Sequence, residues 1–157
     1  MTRVLEPRRR ALIRKYRWGF AIKRASIAAD EDQTEWGDLN RFSLPNDFLR
    51  LLRDKDSPDY RKDWKREGEF IVTTESAPLQ FRYLADITET VIWDSLFYEA
   101  LAHDMAHETC KEITGSTSQK EAIKDDLATI LAEARQMGAF EEDPQEALDD
   151  DYLLARL

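Results

Sequence analysis

The chain has 157 residues, 42% of them hydrophobic and 35% charged, so it is long enough for one domain with a hydrophobic core and too short for two. Aromatic residues make up 10% of the chain, which excludes uniform disorder. The formal net charge of −9 excludes nucleic-acid binding by the chain as a whole, because phosphate neutralisation needs an excess of Lys and Arg.

The first 24 residues reverse this charge, with nine basic side chains against one acidic side chain and a net charge of +8. Because proline is tolerated in a first turn, Pro7 and the apolar residues after it predict a short basic helix that starts near Glu6. We expect its exposed face to bind an acidic protein partner. The residues assigned to this face are Arg8, Arg9, Arg10, Arg14 and Arg17. Alternatively, these arginines hold phosphates while Trp18 stacks on nucleic-acid bases.

Residues 18–88 predict an insertion rich in β-structure. Partial alternation and β-branched side chains favour a strand over residues 18–29. A proline at the end of residues 41–45 favours an extended backbone there. Asn46 or Asp47 is placed to cap one helical turn that carries the apolar residues immediately after it.

The second part of this insertion begins with residues 53–68, which are mostly charged residues, Pro, Gly and Ser. We expect them to form an exposed turn or an inserted loop. Two strands are then predicted over residues 69–74 and 79–84, the second of which alternates cleanly between apolar and polar side chains. Because a short connection joins these strands, we expect them to pair as an antiparallel hairpin.

The apolar residues take up a helical period in residues 89–113, where they form two neighbouring stripes. The side chains assigned to the core and to a contact between subunits are Trp93, Leu96, Phe97, Tyr98, Leu101 and Met105. The second stripe consists of Tyr98, Ala102, Ala106, Thr109 and Ile113. A helix that is apolar on two sides is expected to be buried between layers or between subunits.

A second long helix is predicted over residues 117–137. Gly115 ends the preceding helix, and Ser118 with Glu121 forms a capping-box pattern for the new one. Gly138 is expected to stop this second helix.

These elements predict an α+β fold over residues 1–139: a mostly helical domain with two long C-terminal helices and a small antiparallel β insertion. An extended acidic tail is predicted over residues 140–157. We expect the tail to dock onto a partner through its apolar side chains. These are Phe140, Leu148, Tyr152, Leu153, Leu154 and Leu157. The sequence contains no window of 18 consecutive apolar residues and therefore predicts no membrane span.

Two histidines four residues apart, His103 and His107, lie on one face of the first long helix, a spacing that lets both imidazoles reach a zinc ion. Glu99 lies four residues earlier on the same stripe. A zinc protease needs Glu after the first His as its general base, where this chain has Asp104. The alternative is a polar stripe on which Glu99 pairs with His103.

Several short phrases, taken together and in order, resemble the head-to-tail adaptor family of tailed bacteriophages, also called tail tubular protein A. The phrases are WGFAIKRA (residues 18–25), LPNDFLR (44–50), Tyr83 with Asp86, WDSLFYEALA (93–102), ITGS (113–116) and AEAR (132–135). The resemblance covers roughly residues 8–138. At the positions of His103 and His107 the family pattern typically has Ala, Arg or Leu, which is an argument against a metal site.

The resemblance implies a structural virion protein at the head–tail interface, assembled in the host cytoplasm and used in genome ejection. Twelve copies are expected to form a ring beneath the portal protein and above the tail nozzle or tail tube. DNA would pass through the lumen without specific binding, and the C-terminal tail would grip the portal. The resemblance implies neither a cofactor nor a catalytic residue.

Two other functions compete with this reading. One is a metal-dependent hydrolase that uses Glu99, His103 and His107. The other is a small regulator whose basic helix binds nucleic acid and whose DNA affinity falls with salt.

Overall fold

The computed structural model describes residues 2–31, 37, 39–52 and 63–141. These residues form an α+β fold with three α-helices and two small antiparallel sheets, which confirms the fold class expected from the sequence. The helices are α1 (Thr2–Lys15), α2 (Ser95–Thr114) and α3 (Thr117–Glu141). The strands are β1 (Ile22–Ile27), β2 (Asn40–Ser43), β3 (Phe48–Leu52), β4 (Lys65–Glu67), β5 (Phe70–Thr73) and β6 (Leu79–Ala85).

Each sheet has three strands, and a late strand of the chain lies at its centre. In the first sheet β6 lies between β1 and β3, and in the second β5 lies between β2 and β4. Ile22 of β1 lies opposite Leu84 of β6, and Phe42 of β2 lies opposite Ile71 of β5. Each sheet therefore contains at least one pairing between strands that are distant in the chain.

The prediction of a hairpin between residues 69–74 and 79–84 is wrong. Both strands form at the expected positions, as β5 and β6, but they belong to different sheets. A strand has two edges for backbone hydrogen bonds, and those of β6 are taken by β1 and β3. The alternation of side chains predicted the strands, whereas their partners depend on residues far away in the sequence.

The helical turn predicted after Asn46 or Asp47 is also wrong, because Phe48–Leu52 is strand β3. β3 pairs with β6, with an irregular register between Phe48 and Arg50. Burial explains this outcome: Phe48 and Leu49 are almost inaccessible in the sheet, and a single isolated helical turn would bury much less of them.

Part of the predicted exposed loop over residues 53–68 is a strand. Lys65–Glu67 forms β4, which pairs with β5 across a tight turn at Gly68. The φ of Gly68 is 60°, in the left-handed region that favours glycine. Residues 53–62 lie outside the described part of the chain.

An aromatic cluster fills the space between the two sheets. Leu79, Phe81 and Tyr83 alternate along one face of β6 and are all buried. The ring of Phe81 lies 6.1 Å from that of Trp64, just before β4, and 6.4 Å from that of Phe48 in β3. Aromatic side chains from both sheets therefore form one core.

A second aromatic cluster lies beneath the helices and is centred on Phe97 of α2. This side chain is completely buried, and its ring lies 5.0 Å from Trp18, 5.0 Å from Phe20 and 5.2 Å from Trp93. Trp18 is also held by its indole N–H, which donates to the Leu12 carbonyl oxygen at the end of α1. The cluster connects α1, the segment before β1 and α2.

The first two helices begin at residues other than those predicted. α1 begins at Thr2, about one turn before Glu6, and continues through Pro7. α2 begins at Ser95 rather than Glu89, since Asp94 caps it by accepting a hydrogen bond from the Leu96 amide. Thr90–Ile92 before it is a turn of 3₁₀-helix.

The residue that caps α3 differs from the predicted one. Gly115 ends α2 as predicted, in the left-handed conformation. The hydroxyl of Ser116, not that of Ser118, accepts from the Gln119 amide at the start of α3.

α3 continues past the predicted stop at Gly138 and ends at Glu141, so Phe140 belongs to the helix backbone rather than to the tail. The remaining tail residues, 142–157, lie outside the described part of the chain and include Leu148, Tyr152, Leu153, Leu154 and Leu157. Within the described ranges, no helix combines the length and the apolar character needed to cross a bilayer.

We predict that Phe97→Ala lowers the free energy of unfolding by about 3–5 kcal/mol, because it empties the centre of the second aromatic cluster. Tyr98→Ala is the control, since the neighbouring Tyr98 is 49% exposed and should change stability by less than about 1 kcal/mol. Urea unfolding followed by circular dichroism measures both. Equal losses in the two variants would contradict this assignment of the core.

Candidate functional site

Two arginines of α1, Arg8 and Arg9, form bidentate ion pairs with carboxylates elsewhere in the chain, whereas Arg10 and Arg14 are exposed. Arg9 donates two hydrogen bonds of 3.0 Å to the two carboxylate oxygens of Asp86, which follows β6. The two side chains are only 10% and 11% exposed. Because a buried charge needs a partner and good geometry, this bidentate pair fixes α1 against the end of β6.

Asp86 also joins other parts of the fold. Arg10, which is 46% exposed, lies 3.4 Å from the same carboxylate. The backbone amide of Asp86 donates to the Asp47 carbonyl oxygen at 2.7 Å. The residue therefore connects α1, β6 and the turn before β3.

A second bidentate pair connects α1 to α2. Arg8 donates to both carboxylate oxygens of Asp104, at 2.7 and 2.6 Å, and lies 3.5 Å from Glu108. Nearly two turns further along α1, Arg14 donates to the Leu49 carbonyl oxygen of β3 at 3.1 Å.

The exposed positive face expected on α1 is present in part, since Arg10 and Arg14 are exposed while Arg8 is half-buried and Arg9 is buried. Its binding to an acidic partner stays a prediction. Arg8, Arg9 and Arg14 bind other parts of the same chain. Arg17, which follows α1, is exposed and also has an interaction partner. Reading α1 alone could not identify Asp86 and Asp104 as partners, because they lie 77 and 96 residues away.

The histidine motif is arranged as part of a helix surface. His103 Nδ1 lies 2.9 Å from the backbone carbonyl oxygen of Glu99, so the contact is with the main chain of Glu99 rather than with its carboxylate. Asp104, which stands at the general-base position of a zinc protease, is bound by Arg8. Over the described ranges, no three His, Cys, Asp or Glu side chains lie close enough together to hold a metal ion.

A hydrogen-bonded group of Tyr83, Asp47 and Lys23 connects the sheet to the turn before β3. The Tyr83 hydroxyl donates to Asp47 at 3.0 Å, and Lys23 donates to the same carboxylate at 2.7 Å. Burial, together with the hydrogen bond to Asp47 and its charge, raises the pKa of Tyr83 to about 12. Burial alone would raise the pKa of Asp47, but the hydrogen bonds from Lys23 and Tyr83 and the Lys23 charge hold it below its ordinary value.

α2 presents one buried and one exposed apolar face. Phe97 and Leu101 are buried, while Leu96, Met105 and the preceding Trp93 are half-buried against the core. The second face, which we call the outer stripe, consists of Tyr98, Ala102, Ala106, Thr109 and Ile113. Its large members are exposed, Tyr98 at 49% and Ile113 at 78%. Of the six residues assigned to the core and to a subunit contact, Tyr98 alone therefore lies on the exposed side.

A further apolar region lies where α2 begins and α3 ends. Ile92, 50% exposed, and Met137, 57% exposed, line one shallow cleft together with Phe20. Val91 beside Ile92 is 94% exposed. We call Val91, Ile92 and Met137 the end patch.

A groove of about 640 Å³ lies between the end of α1, the first sheet and the last turns of α3. Four cationic side chains line it, and no described acidic residue does; we call it the basic groove. The four are Lys15, Arg17, Arg82 and Arg135. Tyr16, Ile22 and Leu131 supply apolar surface, and Arg135 stacks over the Tyr16 ring at 4.8 Å.

Sequence reasoning missed three of these four cations, since Lys15, Arg82 and Arg135 were not assigned to a site. They come from a helix end, a central strand and a C-terminal helix, so no local pattern joins them. Lys15 and Arg135 lie in helices with many other charged residues, so nothing in their sequence neighbourhoods marks them as part of a site.

No protein-family model matches this chain, and no curated protein matches it at a significant level.

We predict that Asp86→Asn lowers the free energy of unfolding by about 3 kcal/mol, because it leaves the charge of Arg9 without its buried partner. Asp30→Asn is the matched control: Asp30 pairs with Arg41 near the surface, and its loss should cost no more than about 1 kcal/mol. Denaturant unfolding measures both variants. A loss at Asp86 no larger than that at Asp30 would show that the pair does not fix α1.

We also predict that stability falls in alkaline solution through Tyr83. Because its pKa is raised from 10.0 to about 12 in the folded protein, its contribution is fully present below pH 10 and is lost as the pH rises to about 12. Tyr83→Phe should remove this part of the decline. Lysine deprotonation is common to both proteins, so the difference between their unfolding free energies from pH 8 to 12 isolates Tyr83. Parallel pH profiles would exclude this role.

Proposed function

We propose that this chain is a non-enzymatic assembly protein, an adaptor that forms a ring between the portal and the tail of a tailed bacteriophage. The observation that carries the proposal is the outer stripe of α2. One face of α2 packs into the core. Its second apolar face lies toward solvent, and Tyr98 and Ile113 on this face are exposed. Exposed apolar surfaces of this kind mark contacts with other proteins.

The chemistry of the outer stripe favours helix packing. Its central members, Ala102 and Ala106, are small and exposed, so a neighbouring backbone can approach closely there. The larger Tyr98 and Ile113 at its two ends then supply apolar area. This arrangement suits a contact with another copy of the chain.

The presence of a second, different apolar region supports a ring. In a closed ring of identical subunits with head-to-tail contacts, each copy uses two different surfaces, one for each neighbour. The outer stripe and the end patch are two such surfaces, and they lie on different parts of the fold. Twelve copies are the number that the family resemblance implies.

The resemblance itself supports a structural role, because its phrases coincide with residues that hold this fold together. Trp18 lies in the second aromatic cluster, Asp86 binds Arg9, and Gly115 ends α2. These residues shape the subunit.

The charge of the chain fits passage of DNA. A net charge of −9 gives little phosphate neutralisation, so DNA can move through a lumen without being held. The acidic tail is proposed to grip the portal, with the tail nozzle or tail tube on the other side of the ring. The site of action is then the head–tail interface of the virion.

The ring is tested by electron microscopy of the purified chain mixed with its cognate portal protein, where we expect a twelve-fold ring. Tyr98→Asp with Ile113→Asp should abolish the ring and leave the circular dichroism spectrum unchanged, since both residues are exposed. Ala122→Asp with Ala128→Asp is the matched control, because it adds the same charge at exposed positions of α3. Rings that survive the first variant, or are lost equally in both, would contradict the role of the outer stripe.

The assignment of the tail is tested by removing residues 142–157, which follow the last residue of α3. We predict that portal binding falls at least tenfold while thermal unfolding of the domain is retained. Surface plasmon resonance on immobilised portal measures the affinity. Unchanged affinity would exclude the tail as the portal-binding element.

A further inference from the structure

We propose that the basic groove binds the acidic C-terminal segment of the same chain, residues 142–157. The proposal concerns the same segment that is proposed to bind the portal, but it does not rest on the adaptor function, because it is argued from the groove and from the composition of the segment. It assigns an occupant to this groove.

Charge complementarity is the first argument. The groove presents Lys15, Arg17, Arg82 and Arg135, with no acidic residue among its described lining. Residues 142–157 carry six acidic side chains and one basic side chain. Opposite charges at this density favour binding of the segment to this surface and suppress binding elsewhere on a chain that is otherwise negative.

The apolar surface of the groove is the second argument. Tyr16, Ile22 and Leu131 lie among the cations, so the groove suits a ligand with both acidic and apolar side chains. The segment has this composition, with three consecutive aspartates followed by Tyr152, Leu153 and Leu154. The volume of about 640 Å³ lies within the roughly 300–1,000 Å³ of typical binding pockets.

The point where the segment leaves the fold is the third argument. Gly138 and Ala139, in the last turn of α3, line the groove, and the helix ends at Glu141. The segment therefore starts at the edge of the groove. Its 16 residues can extend to at most about 55 Å, which exceeds the distance needed to fold back. Tethering of this kind gives an effective concentration on the order of millimolar, far above that of a second copy in dilute solution.

Nucleic acid is the competing occupant, since cations beside aromatic rings also bind single strands. The tethered carboxylates are present at all times and compete with phosphates for the same cations. The acidic segment is therefore favoured, and DNA becomes an outcome of the test.

The test is paramagnetic relaxation in the full-length chain. A nitroxide is attached to Ala155→Cys in a Cys110→Ala background, which removes the one native thiol. We expect strong broadening of the Gly19 amide in the groove. The Gly115 amide, at the other end of α3 and about 35 Å from Gly138 along the helix, should remain sharp.

Charge reversal identifies the groove as the binding surface. Lys15→Glu with Arg135→Glu should reduce the relaxation enhancement at Gly19 at least fivefold. Lys111→Glu with Lys124→Glu is the matched control, since it changes the net charge equally at exposed positions outside the groove and should leave the enhancement unchanged.

A second variant changes the segment and leaves the described fold untouched. Asp149→Asn, Asp150→Asn and Asp151→Asn, combined in one chain, should reduce the same enhancement at least threefold. The result therefore does not depend on whether the Arg135 variant folds.

Three outcomes would overturn the proposal. The first is equal broadening at Gly19 and Gly115, or broadening at Gly19 that the groove variant does not reduce. The second is broadening that appears only between an isotope-labelled chain and a separate nitroxide-labelled chain, which makes a second copy the occupant. The third is a change in the chemical shifts of the groove amides when a single-stranded DNA oligonucleotide is added, with no change in these shifts on the aspartate substitutions.

Discussion

The ion pair between Arg9 and Asp86 is the contact on which the position of α1 depends. Both side chains are almost fully buried, so each charge needs the other, and the two parallel hydrogen bonds allow one orientation of α1. Asp86 is joined through its amide to Asp47, and Asp47 in turn accepts from Tyr83. One chain of polar contacts therefore runs from the basic helix through the sheet.

The ion pair between Arg9 and Asp86 changes the role that is expected for the basic N-terminus. Arg8 and Arg9 are paired internally and therefore stabilise the fold. The basic groove at the end of α1 brings together four further cations, of which Arg17 and Arg82 also have interaction partners. The segment after α1 contributes Trp18 to the cluster around Phe97. α2 packs against this cluster and against α3, whereas its outer stripe is exposed.

Local sequence features predicted an element correctly where its structure depends mainly on its own residues. The helical period of α2 and α3, the alternation in β6 and the end of α2 at Gly115 follow from spacing and backbone preference. The prediction of a helical turn after Asn46 or Asp47 is wrong because pairing with β6 and burial outweighed the local preference. Local preference also misplaced the end of α3, which continues through Gly138. The outer stripe could be predicted from period alone, whereas the basic groove could not.

The sequence by itself determined the α+β class, the two long helices, the second apolar stripe of α2 and the opposite charges of the two ends. Only the tertiary structure decided which strands pair, which carboxylates hold the arginines of α1, and that Lys15, Arg82 and Arg135 share a groove. The physical reason is the range of the interactions. Period, capping and backbone preference act over a few residues, while strand pairing, ion pairing and groove formation join residues tens of positions apart.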